Sequence, residues 1–165
     1  MAYQRFEDLP VWNSAIDLAL RIYEFTASPE FTSRYSLKDQ LERAAVSVSN
    51  NIAEGFERGT NKDLLTFLYI ARGSAGEVRS MLCLIERIPA FKGLKQEIKL
   101  LKPKAESCSR QLKAWAQALQ NSDFKGERHI SQKTKRATQA AKERQDFLNE
   151  LAEIRAKAKA VGKDN

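Results

Sequence analysis

The chain has 165 residues, with 28 Lys and Arg against 21 Asp and Glu, a net charge of +7, and 42% apolar residues. This is enough for one ordinary domain with a buried core and a charged surface, while seven Gly and four Pro are too few for an all-β protein or a disordered linker. Cys83 and Cys108 lack C-x-x-C spacing and His129 is the only histidine, which excludes a disulfide scaffold, a multi-imidazole metal centre and all but one His-dependent triad.

Met1 to Asp8 carries Arg5, Glu7 and Asp8 and no apolar leader, so a cytoplasmic protein is expected. Trp12, Ala15, Ile16, Ala19, Ile22 and Tyr23 then recur at helical spacing and predict a first helix from Pro10 to Thr26. Pro10 suits a first turn, and Ser28-Pro29 ends the run. Ser36-Leu37-Lys38-Asp39 reads as a capping box for a second helix, lined by Leu37, Leu41, Ala44, Ala45, Val48, Ile52 and Phe56 and ended between Gly55 and Gly59.

Thr60-Asn61-Lys62-Asp63 repeats the cap and opens a third helix through Leu64, Leu68, Ala71, Ala75, Val78, Leu82 and Ile85, stopped by Pro89. A fourth apolar seam runs through Leu94, Ile98, Leu101, Ala105, Cys108, Leu112, Trp115 and Leu119, with Pro103 expected to kink or break it. The loops fall at Ala27–Tyr35, Glu57–Thr60 and Ile88–Gly93. The expected fold is all-α: an antiparallel up-down-up-down four-helix bundle over residues 1–124. Residues 125–165 are expected to form a basic linker and a charged tail helix, whose Phe147, Leu151, Ile154, Ala158 and Val161 keep the same spacing. The longest hydrophobic stretch, Phe67 to Ala71, is far below the roughly 20 residues of a membrane span.

Gln40-Leu41-Glu42-Arg43-Ala44-Ala45-Val46-Ser47-Val48, followed by Asn51-Ile52-Ala53-Glu54-Gly55, resembles the signature of a family of small bacterial four-helix-bundle proteins. That family was first noticed in intervening sequences of large-subunit ribosomal RNA genes. Phe6-Glu7-Asp8-Leu9 with Val11-Trp12, and Phe67-Leu68-Tyr69-Ile70-Ala71 with Gly73-Ser74 and Glu77, fit the same family, over roughly residues 4–120. Two departures stand out: Ser49 occupies a position that is often Pro, and the chain continues past the usual end near residue 128. The resemblance implies a non-enzymatic bundle that assembles with itself, a pentameric ring being favoured. It also implies likeness to the accessory variability determinant of diversity-generating retroelements, a basic barrel that binds a reverse transcriptase and nucleic acid. A reverse transcriptase is thereby a candidate partner.

Charge is distributed unevenly. Residues 1–91 carry a net −2, residues 92–124 a net +4 and residues 125–165 a net +5. Lys95, Lys99, Lys102, Arg110 and Lys113 on the fourth helix, and Lys133, Lys135, Arg136, Lys142 and Arg144 in the tail, are the candidate phosphate contacts. With few aromatics interleaved, structured RNA or a duplex backbone fits better than stacked single strands. A merely solvated basic surface is the competing reading.

Leu65, Phe67, Ile70, Met81 and Leu84 widen the apolar face of the third helix beyond its seam. This points to a subunit interface at Leu65, Ile70, Met81 and Leu84, or to a broad core face covered by loops or tail. Gly73 and Gly76 would let another helix approach closely. Ser47, Asn51 and Glu54 share a face of the second helix, and Ser74 and Glu77 stand three apart on the third. With no Glu-x-x-His pair, they are expected to hold structure, and no metal, cofactor or catalytic residue is expected. The function expected is a non-enzymatic, self-assembling bundle that offers a basic surface to RNA as an accessory factor in a ribonucleoprotein. The alternative is a scaffold whose tail docks on a protein.

Overall fold

A computed structural model describes residues 3–121, together with Arg144 and Asn149. The chain falls into two units, Met1–Glu127 and Arg128–Asn165. In the first, the described residues form four helices and no strand: α1 (Pro10–Thr26), α2 (Tyr35–Glu57), α3 (Asn61–Ile85) and α4 (Lys95–Gln120). Short 3-10 turns at Phe6–Asp8, Pro29–Phe31 and Pro89–Leu94 make the entry and two of the connections.

The helical spacing read from sequence is the spacing that is buried. Leu18, Ile22, Leu41, Ile52, Leu64, Leu68, Leu82, Ile85, Ile98 and Leu112 lie fully inside, and each helix adds alanines that let its neighbours come close. α1 packs on α2 and α4, and α3 packs on α2 and α4, so α1 and α3 occupy diagonal corners. Phe31 and Phe91 come from the two 3-10 connections and meet with ring centroids 4.7 Å apart and planes tilted by 54°, with Phe25 edge-on to Phe31. These aromatics close one end of the core.

Three local expectations change. Ser36 is not the cap of α2: the helix starts at Tyr35 after Arg34, with no side-chain cap bond. The turn Phe31–Arg34 feeds the helix instead, the Arg34 and Lys38 N–H groups donating to the Phe31 and Arg34 carbonyls. Pro103 does not break α4, which runs on as one helix. The proline is exposed, and so is Lys99, whose carbonyl it leaves without an N–H partner; water can satisfy that group. The seam of α4 also drifts. Ala116 is buried at its end while Trp115 and Leu119 are half-buried, because a 3.6-residue turn slips about 20° per heptad against a 3.5 repeat.

The second cap holds. Thr60 Oγ1 accepts from the Asp63 N–H at 3.0 Å and donates to the Asp63 carboxylate at 2.7 Å, while Gly59, at φ +77°, makes the turn that L-residues resist. Thr60→Ala is expected to cost about 1 kcal/mol. Chemical denaturation should show a lower midpoint with an unchanged slope; an unchanged midpoint would mean the cap contributes nothing.

Candidate nucleic-acid interface

α4 carries its cations along one flank. Lys95, Lys99, Lys102, Arg110 and Lys113 follow one another by four, three, eight and three residues, with Glu106 filling the long gap. Lys102 meets Glu86, the C-cap residue of α3, at 2.5 Å, and Tyr69 of α3 accepts from Gln120 at 2.8 Å, which sets α3 and α4 antiparallel and fixes their register. Arg72, Arg79 and Glu86 recur every seven residues and so share the α3 flank that faces this side of α4. The basic face is therefore built by two helices, and Arg72 and Arg79, both on the near-neutral part of the chain, belong to it.

The cations are not equivalent. Lys102 is held by Glu86, and Arg110 by Glu106 at 3.0 Å, a pair one turn apart. Lys104 lies on the opposite flank and reaches Asp17 of α1 at 2.6 Å. Lys92, Lys95, Lys99, Lys113 and Arg79 are exposed, Arg72 is half-buried, and none of the six has an ion pair among the described residues. On this side of the bundle these six are free to neutralise phosphate. The two arginines add planar donors that can grip a phosphate with two bonds. Arg144 is helical and exposed; Lys133, Lys135, Arg136 and Lys142 lie outside the described residues, as does the Phe147–Val161 seam.

The hydrogen bond from Lys102 holds the Glu86 carboxyl below its usual range, and the fields of Lys102, Lys95 and Lys99 add to it. Lys104 does the same to Asp17 by its hydrogen bond. A depressed carboxylate stabilises the fold above its unfolded pKa and loses that contribution as pH falls through the folded one. Unfolding free energy should therefore drop in the acid range below about pH 4, and the double variant Asp17→Asn, Glu86→Gln should flatten that drop. Both pairs are partly exposed, so the effect is small. An identical acid limb in the variant would show that the pairs do not contribute.

The polar residues of α2 and α3 divide. Ser47 Oγ and Ser74 Oγ are 2.9 Å apart, and Asn51 Nδ2 donates to the Ser47 carbonyl at 2.7 Å and to its Oγ at 3.0 Å. Ser74 also donates to the Ile70 carbonyl. This chain ties α2 to α3, so its members spend their hydrogen bonds on one another. Glu54 is exposed and accepts from Nε and Nη2 of Arg58, and Glu77 is exposed on the outside of α3. Cys108 is a core residue, its thiol pushed up to about 11 chiefly by burial.

The proposed interface set also divides. Met81 is only 8% exposed and belongs to the bundle's own core, and Leu65 is half-buried against it. Ile70 and Leu84 stand out at 45% and 52% exposed. A Cβ placed on Gly73 or Gly76 would meet nothing within 4 Å, so among the described residues no helix makes the close approach expected there.

The profile of the 23S rRNA-intervening sequence protein family matches residues 7–114, more than half of the chain. The fold is similar to the crystal structure of a protein of unknown function from the S23 ribosomal protein family of Bacteroides thetaiotaomicron. That structure is 18% identical, and the match covers 64% of this chain and 97% of that one with a TM-score of 0.57. No curated protein matches the chain.

Proposed function

We infer function from one premise: the chain belongs to the 23S rRNA-intervening sequence protein family. We propose that it is a non-enzymatic bundle that assembles with itself, a pentamer being favoured, and holds the phosphate backbone of structured RNA on its α3/α4 face. In that role it would be an accessory factor in a ribonucleoprotein, with a reverse transcriptase as a candidate protein partner. The observation that carries the reading is the set of unpaired cations contributed by both helices, Arg72 and Arg79 from α3 and Lys95, Lys99 and Lys113 from α4, with Lys92 on the 3-10 turn that leads into α4. Phosphate contacts need positive charge at repeated spacing and no base-reading geometry, and this face supplies that.

The test is RNA binding by two double variants, Lys95→Glu with Lys99→Glu and Arg72→Glu with Arg79→Glu. Each should weaken binding across unrelated RNA sequences, since backbone contacts carry no sequence information. All four side chains lie outside the core, so helicity should not change. If only the α4 variant matters, the face does not extend to α3. If neither does, the rival gains: a scaffold that meets a protein and no nucleic acid.

A further inference from the structure

Outside the basic flank, two surfaces of the bundle are complementary. The first is the outer stripe of α3, Ile70, Gly73, Glu77, Ser80 and Leu84, spaced by three and four. Ile70 and Leu84 protrude at its ends. Its middle is low, because Gly73 has no side chain and no described residue comes within 4 Å of where its Cβ would stand. Gly73, and Gly76 beside the stripe, forgo roughly 1 kcal/mol each of helix propensity with no packing return among the described residues. Glu77 is the single charge on this stripe and has no ion pair among the described residues.

The second surface is an open cleft of about 400 Å³ on the outside of α1 and α2, lined by Tyr23, Arg43, Val46, Ser47, Asn50, Asn51 and Glu54. Val46 and the half-exposed Tyr23 give it an apolar wall, and Leu20, 59% exposed, stands one turn before Tyr23. Of the two charges that line it, Glu54 is already taken by Arg58, 2.7 Å away. Arg43 is 80% exposed, and its nearest carboxylate, Asp39, is 3.9 Å off. The cleft thus offers one loosely held cation and room for an apolar side chain, where the stripe offers one unpaired anion and two protruding apolar side chains.

We propose that the outer stripe of α3 in one copy seats on the α1/α2 cleft of the next, with Glu77 paired to Arg43 and Ile70 or Leu84 filling the cleft. The occupant of each surface is a second copy of this chain, and the inference rests on the self-assembly proposed above. The two surfaces differ, so the contact is head-to-tail; such a contact closes into a ring when its rotation divides the circle. It leaves the α3/α4 flank with its cations uncovered.

The test is a charge swap in the full chain, read by light scattering across a dilution series. Arg43→Glu and Glu77→Arg should each weaken assembly by at least roughly tenfold, because each sets like charges together at the contact. The double swap should recover most of it. Circular dichroism should be unchanged in all three, since both side chains are exposed. If the unmodified protein assembles and the single variants assemble equally well, or the double swap fails to recover, the pairing of these faces is wrong and self-assembly stands. A monomeric unmodified protein overturns both.

Discussion

Gly55→Ala should destabilise the bundle by about 2 kcal/mol, although alanine is the better helix former by about 1 kcal/mol. The added Cβ would stand 2.6 Å from Phe67 Cβ and 3.3 Å from Leu64 Cα. Neither atom is the end of a flexible side chain, so α2 and α3 would have to separate at this contact. A shift there disturbs Leu64, fully buried, and the Arg58 guanidinium that lies 4.7 Å over the Phe67 ring. Overpacking of this kind costs about 1–3 kcal/mol or more, which outweighs the propensity gain. Against a usual total of about 5–15 kcal/mol, the loss is easily measured in urea. Gly73→Ala and Gly76→Ala provide the contrast: with open space around each, neither should destabilise the separate chain. Equal midpoints for Gly55→Ala and the unmodified protein would show that the crossing has slack.

The helices were legible because their apolar positions repeat every three or four residues, and burial follows that repeat from Val11 to Leu112. The Thr60 cap was legible because its partner, Asp63, is three residues away. The Ser36 cap was misread because the same pattern also fits the first turn of a helix that starts one residue earlier. Met81 was left between a subunit interface and a broad core face because periodicity alone cannot tell the edge of a wide core from an outer face; it lies in the core.

The cations show the same division. That Arg110 is tied to Glu106 follows from their spacing, since residues four apart on a helix are neighbours. That Lys102 is spent on Glu86, and Lys104 on Asp17, depends on how α4 packs against α3 and α1, which no local spacing records. Arg72 and Arg79 went unread for the same reason. They sit in a part of the sequence with no excess charge and join the basic face only through the register of α3 on α4.

Affinity for RNA should fall by about two orders of magnitude between 50 and 200 mM salt. Each phosphate neutralised releases counterions and contributes a log–log slope of about −0.7 to −0.9. Four or five such contacts, within reach of the six unpaired cations of α3, α4 and the turn between them, give a slope of about −3.5. Lys95→Glu with Lys99→Glu should flatten that slope as well as lower the affinity, which separates lost phosphate contacts from a general loss of structure. The most direct measurement is therefore the binding of a structured RNA to the unmodified full-length protein at these two salt concentrations. Binding should be tight and sequence-tolerant at about 50 mM and weaken roughly a hundredfold at 200 mM; no detectable binding at the lower salt, or binding that ignores salt, would contradict an RNA-backbone role for this face.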